Sequence, residues 1–365
     1  MSGIKMIKPQ NYVECMAESY TDLSGAECVM ERTTMRVLHG KNLDVKMPMA
    51  STTKILTAIA VIENCDLNKT VIIPKEAVGI EGSSIYLTEG ESITVEALLY
   101  GLMMRSGNDA AIALAIATCG TVEDFVALMN VTAKAIGANN SQFKNPHGLT
   151  AEGHYTTARD LAAITCYALN NPTFAKIVAT KRITFGERTF INKNKMLFSY
   201  VGGDGVKTGF TKDAGRCLVS SATKNQMQLV SVVLNCAPMF ERSKELLDSA
   251  FTRYSLKTVI NSGEIIGKIP IKGFLNKTYD CPVRLDSDLR LPLTDEEFKS
   301  LKIELQGEKE LNFPLKIGQE VGNLSITANN KLIFFSKLYN MLGVKNAKTK
   351  LLSEGIVLGL AANEN

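Results

Sequence analysis

The chain has 365 residues, of which 45% are hydrophobic and 21% charged, with a formal net charge of +4. This length favours one large domain plus a smaller one, and the composition is that of an ordinary globular protein without a disordered bias. Basic and acidic residues are interspersed, which argues against nucleic acid as a partner, and no run approaches the roughly 20 apolar residues of a membrane-spanning helix.

In chain order, the opening stretch MSGIKMIKPQNYVE has no apolar core of the kind an export signal needs. The expectation is either a cytosolic protein or a processed or truncated chain. Ala26–Glu31 and Thr34–Leu38 read as a strand pair, followed by the turn His39-Gly-Lys-Asn42. Ser51-Thr-Thr-Lys54 opens a helix with Ile55, Ala58, Ile59 and Ile62 on one face. Val95 to Met104 is a second helix, broken at Ser106-Gly107, and Ala110 to Thr118 a third, stopped by Gly120. Thr121 and Thr157 have the look of helix N-caps, and Gly137 that of a C-terminal stop.

The pattern then changes. Arg182–Phe185, Gly215–Ala222 and Met227–Cys236 read as strands, and Phe240 to Tyr254 as a helix. Beyond about residue 257 come short strands: Ile265–Ile271, Tyr279–Val283, Leu301–Leu305, Leu311–Ile317 and Asn323–Ala328. The expected organisation is a mixed α/β (α+β) domain over 1–256, a small all-β domain over 257–332 and a tail over 333–365. In the tail Ile333, Phe334, Leu338, Met341 and Leu342 share one helical face, followed by Lys345, Lys348 and Lys350. A helix lying on an anionic membrane and one packed on its own β-domain both fit this pattern.

The cysteines (Cys15, Cys28, Cys65, Cys119, Cys166, Cys217, Cys236 and Cys281) are scattered without a CxxC pair. Buried free thiols are the expectation, with no metal cage and no cofactor.

Three short motifs carry chemistry: Ser51-Thr-Thr-Lys54, Ser106-Gly-Asn108 and Lys207-Thr208-Gly209. SxxK alone means little, since Ser141–Lys144 and Ser221–Lys224 match it too. SxN and KTG each occur once, and Ser51–Lys54, unlike those two matches, precedes both. On a helix, residues i and i+3 share a face, so Lys54 reaches the Ser51 hydroxyl. A serine needs an adjacent base, and Lys54 serves only if neutral, a state favoured by burial and by a second cation such as Lys207. A serine at a helix start also has backbone N–H groups close to a developing oxyanion. Ser106 and Asn108 sit at a break that aims both into a cleft. Gly209 fits a strand that a ligand backbone approaches closely.

The trio is the signature of β-lactamases and penicillin-binding proteins. Over nearly its whole length the chain resembles the low-molecular-weight D-Ala-D-Ala carboxypeptidases, through MASTTKILTA, EGSSIYLTEGE, LLYGLMMRSGNDAA, FKNPHGLTAEGHYTTARDLA and DGVKTGFT. The resemblance implies an antiparallel sheet flanked by helices, with the site between sheet and helices and a β-rich domain after it. It implies that Ser51 is acylated by the penultimate D-Ala carbonyl of a peptidoglycan stem peptide, with Lys54 as base and Ser106 relaying a proton to the leaving amine. Asn108 would hold the substrate amide, Lys207 complete the electrostatics, and Thr208 bind the terminal carboxylate, assisted by Arg242. The N–H groups of Ser51 and Phe210 would form the oxyanion hole, and β-lactams would be covalent inhibitors. The outer face of the bacterial cytoplasmic membrane is the implied location, which a processed chain reconciles with the missing export signal.

Other readings are weaker. A Ser-His-Asp triad through His147 or His154 lacks a GxSxG elbow. A β-lactamase needs a deacylating glutamate, and none of Glu123, Asp124, Glu152, Asp160, Glu187 and Asp204 stands in an E-x-x-L-N setting. A non-catalytic wall-peptide binder would not need the intact trio.

Overall fold

The structure is a computed structural model that describes residues 25–272, 278–308, 311–312, 315–340 and the backbone of 356–360. These fall into two compact units that divide near Thr252.

The first unit is built on a five-stranded antiparallel sheet in the order Val37–Lys41, Ala26–Glu31, Met227–Leu234, Gly215–Lys224, Gly203–Thr211. Strands from both ends of the unit therefore meet in one sheet. Met227–Leu234 lies in its middle and is buried along almost all its length, which is why it reads as a continuous apolar run rather than an alternation. The second strand begins at Val37 rather than Thr34. The Glu31 carboxylate accepts from the Thr33 and Thr34 N–H groups and the Thr34 hydroxyl, so residues 32–35 turn instead of extending.

Helices Lys54–Asn64 and Asn108–Cys119 are buried through their first eight residues, and each fully buried Leu or Ile contributes on the order of 1.5–3 kcal/mol. Thr121 and Thr157 do cap helices, accepting from Asp124 and Asp160 N–H, and Gly137 stops the first of these with φ of 94°. The helix expected over Val95 to Met104 is α-helical only over Val95–Tyr100. It then widens into a π turn, Gly101–Arg105, that ends on Ser106.

The second unit carries a seven-stranded sheet among the described residues, with Lys331–Asn340 between Glu320–Ala328 and Ile356–Leu360. Its core includes Ile269, Val283, Leu291, Leu324 and Leu338. The helix expected from Ile333, Phe334 and Leu338 does not form. All three lie in the strand Lys331–Asn340, which runs across the expected boundary at 332–333 and buries them in this core. Met341, Leu342, Lys345, Lys348 and Lys350 lie outside the described residues.

Candidate active site

Ser51 sits in the 3₁₀ turn Ala50–Thr53, which runs straight into the helix Lys54–Asn64. Ala50 has φ of 49°, a left-handed conformation that costs a non-glycine residue roughly 1–2 kcal/mol. Three neighbours hold it there. The Thr53 hydroxyl donates to the Ala50 carbonyl at 2.9 Å and accepts from His154 Nε2 at 2.9 Å. That tautomer is fixed because the Lys144 N–H donates to His154 Nδ1. Gly148, with φ of 91°, comes so close that a Cβ on it would lie 1.9 Å from the Ala50 oxygen. The segment 144–154 thus sets the peptide unit that bears the Ser51 N–H.

Lys54 is fully buried. Its Nζ stands 2.9 Å from Ser51 Oγ and 2.7 Å from Asn108 Oδ1, and also hydrogen-bonds the His147 carbonyl. The Asn108 amide has a fixed orientation, because its Nδ2 donates to the Glu81 carbonyl. Two of the three Lys54 partners can therefore only accept. A neutral amine spends both hydrogens on them and turns its lone pair to the Ser51 hydroxyl. Burial pushes Lys54 well below its ordinary pKa, the charges of Lys207 and Lys193 push the same way, and Asp109 opposes them.

Ser106 ends its π turn with φ of 67° and is buried. Lys207, in the strand Gly203–Thr211, donates to Ser106 Oγ at 3.1 Å and to the Thr208 carbonyl at 2.8 Å. Burial, with Lys193, lowers Lys207 to about 7. Gly209 is also crowded from within the chain. The chain's own serine turn approaches it, and a Cβ there would stand 3.1 Å from Met49 O and from Ser51 N. Phe210 is 63% exposed on the same strand, with the Arg216 guanidinium over its ring. This strand closes one end of the sheet, so alternate N–H groups along it face away from its partner.

Five of the expected residues are thus tied together by contacts: Ser51 with Lys54 and Asn108, and Lys207 with Ser106. Gly209 packs on the Ser51 turn, and Thr208 and Phe210 flank it in the strand. Arg242 is not joined to them. Its Nε and Nη2 form a fork on Glu27, both at 2.8 Å, and its Nη1 donates to Glu245. Burial raises the Glu27 pKa, but hydrogen bonds from Arg242 and His39 outweigh this and hold it at about 2. Burial above all lowers His147 and His154, to about 3 and about 4, with Lys54 adding to this only when it is charged. His154 braces Thr53, and His147 lends its carbonyl to Lys54. Sequence reasoning misses Asp109, the Glu81 carbonyl and the His154–Thr53 link. The signals for them were Gly82, Gly107 and Gly148, each forced by a close approach. No group of three His, Cys, Asp or Glu side chains among the described residues is arranged to hold a metal.

A family model for D-alanyl-D-alanine carboxypeptidases matches residues 15–237, and one for the C-terminal domain of penicillin-binding protein 5 matches residues 254–346. The D-alanyl-D-alanine carboxypeptidase DacF of Bacillus subtilis is 33% identical over 322 residues, covering 84% of this chain and 82% of that protein. The chain belongs to the D-alanyl-D-alanine carboxypeptidase family. It is a serine peptidase, a hydrolase of the penicillin-binding group. Among solved structures, penicillin-binding protein 5 from Haemophilus influenzae superposes with a TM-score of 0.76 at 26% identity, covering 90% of this chain and all of that one. The Streptomyces K15 DD-transpeptidase gives 0.60 at 32% identity, over 65% of this chain and all of that one. The carboxypeptidase fold expected from the motifs, sheet and helices followed by an all-β domain, is the one found.

Proposed function

We propose that this carboxypeptidase releases the terminal D-Ala of peptidoglycan stem peptides through an acyl-enzyme on Ser51. Lys54 takes the Ser51 proton as Oγ attacks the penultimate D-Ala carbonyl. The oxyanion that forms is met by the N–H groups of Ser51 and Phe210. The proton then passes by way of Ser106 to the departing D-Ala nitrogen as the C–N bond breaks. Water attacks the ester, Lys54 accepts its proton, and Ser51 regains a proton as the shortened peptide leaves. Lys207 and Thr208 receive the terminal carboxylate. Asn108 serves first to hold Lys54 and contributes to the substrate amide only by exchanging a partner. Arg242 is left out of this set, because Glu27 already occupies its fork.

The observation that carries the reading is the buried Lys54 amine, with two obligate acceptors on its hydrogens and the Ser51 hydroxyl as third partner. A β-lactam carbonyl would meet the same groups and leave a stable ester. The substrate lies outside the cytoplasmic membrane, so the enzyme would act there. The free thiols of Cys65, Cys119, Cys166, Cys217, Cys236 and Cys281 would then require a surrounding that is not strongly oxidising. Incubation with a peptide ending in D-Ala-D-Ala tests the proposal: free D-Ala appears with the native protein and not with Ser51→Ala. Labelling by penicillin without D-Ala release would point to a β-lactamase or a binding protein instead.

A further inference from the structure

The helix Asn108–Cys119 opens with two buried polar side chains, Asn108 and Asp109. Every partner of the Asp109 carboxylate donates to it. Oδ2 accepts from Ser84 Oγ at 2.6 Å and from the Leu87 N–H at 3.2 Å. Both oxygens accept from the Ile85 N–H, and Oδ1 takes the Ala110 N–H at 2.9 Å. The carboxylate thereby pins segment 84–87 to the first turn of the helix.

The residues just before that segment hold Asn108. Ser83 O accepts from its backbone N–H at 2.7 Å, and Glu81 O from its side-chain amide. Little slack is left: a Cβ on Gly82 would lie 2.9 Å from Asn108 Nδ2, and one on Gly107 2.7 Å from Asp109 Oδ1. One connected path therefore runs from Asp109 through loop 81–87 to Asn108, then 2.7 Å to Lys54 and 2.9 Å to Ser51.

We propose that Asp109 is a positioning residue for the reaction: by pinning loop 81–87 to the helix start, it keeps Asn108 where it fixes one Lys54 hydrogen and aims the amine's lone pair at Ser51. This rests on the roles given above to Ser51 and Lys54. The carboxylate also acts on Lys54 by its charge. The groups bearing on that amine are Lys207 in its strand, Lys193 ahead of that strand, Asp109 on the helix, and the neutral His147 and His154. Without Asp109 the two lysines act unopposed, and Lys54 loses its proton at lower pH.

The test is the rate of acylation by a fluorescent penicillin against pH, in the full chain, for the native protein, Asp109→Asn and Ser84→Ala. Asp109→Asn is expected to lower the rate at neutral pH by about 10–100-fold through misplacement of Asn108, and to move the acid limb to lower pH. Ser84→Ala keeps the charge and loses one hydrogen bond, so the rate falls by about 5-fold with the acid limb in place. A carboxylate that only stabilised the fold would lower Tm and move neither rate nor limb, and that result overturns the inference. Should Asp109→Asn fail to fold, Ser84→Ala decides: a lowered Tm at the native rate overturns it equally. A native protein that takes no label, or a Ser51→Ala variant that keeps it, sinks the reading of Ser51 itself. Full native labelling that ignores Asp109 and Ser84 sinks this inference alone.

Discussion

Gly148→Ala isolates the support of the nucleophile without touching any group that meets substrate. The new Cβ would stand 1.9 Å from the Ala50 oxygen and 2.9 Å from Thr53 Oγ1. An ordinary contact is roughly 1.5 Å longer than the first of these, so loop or turn must retreat by about 1 Å or more. The backbone adds a cost of its own, because Gly148 has φ of 91° and alanine is disfavoured there by about 1 kcal/mol. Together these predict a loss of about 2–3 kcal/mol and a fall in Tm of roughly 5–10 °C. The larger effect is on rate. The Ala50 carbonyl belongs to the same peptide unit as the Ser51 N–H, so moving one rotates the other. Loss of a single oxyanion donor costs about 100–1,000-fold. Acylation by labelled penicillin, measured well below the variant's Tm, should fall by about 100-fold. A variant that melts early yet acylates at the native rate would refute the claim that this loop sets the oxyanion geometry.

The pH dependence should be bell-shaped. Activity requires Lys54 neutral, which gives the acid limb, and Lys207 charged, so kcat/KM should decline above about 7; a flat profile from 6 to 9 would contradict this assignment. Lys207→Gln removes a charge that pushes Lys54 down, so the acid limb should move to higher pH, opposite to Asp109→Asn. His154 titrates at about 4 in the folded protein and near 6.5 when unfolded. The unfolded chain binds the extra proton between those values, so stability is complete above about 6.5 and is lost as pH falls toward 4. The loss is about 3 kcal/mol at most. His154→Gln, whose amide can both accept from Lys144 and donate to Thr53, should flatten that part of the curve in urea denaturation between pH 4 and 7.

The motif trio proposed as catalytic was legible because it obeys local rules. Ser51 and Lys54 share a face by the i, i+3 spacing, and the order of the motifs removed the later SxxK matches at Ser141 and Ser221. Asp109 was hidden because an acidic residue in a first helical turn is ordinary, and only the fold shows segment 84–87 donating to it. The Gly209 expectation, a close backbone approach, did not foresee that the Ser51 turn itself approaches the glycine. Arg242 looked available because its partner Glu27 lies 215 positions away in sequence. The tail misled through periodicity. Ile333, Phe334 and Leu338 fit a helical face, whereas the buried row of the strand is Phe334, Ser336, Leu338 and Asn340. Two polar members of that row mask the period of two. Elsewhere in the second unit Ile265–Lys272, Thr278–Leu285, Lys302–Gly307 and Glu320–Ala328 were read with ends displaced by up to a few residues, the strand expected over Leu311–Ile317 is Leu311–Asn312, and Ser255–Ile260 and Leu289–Leu293 were missed.

The most direct check is to map the penicilloyl adduct by mass spectrometry of the digested protein. One adduct per chain, on the peptide that contains Ser51 and lost in Ser51→Ala, is the predicted result. An adduct on any other residue, or undiminished labelling of Ser51→Ala, would contradict the assignment of Ser51 as the nucleophile that Lys54 activates.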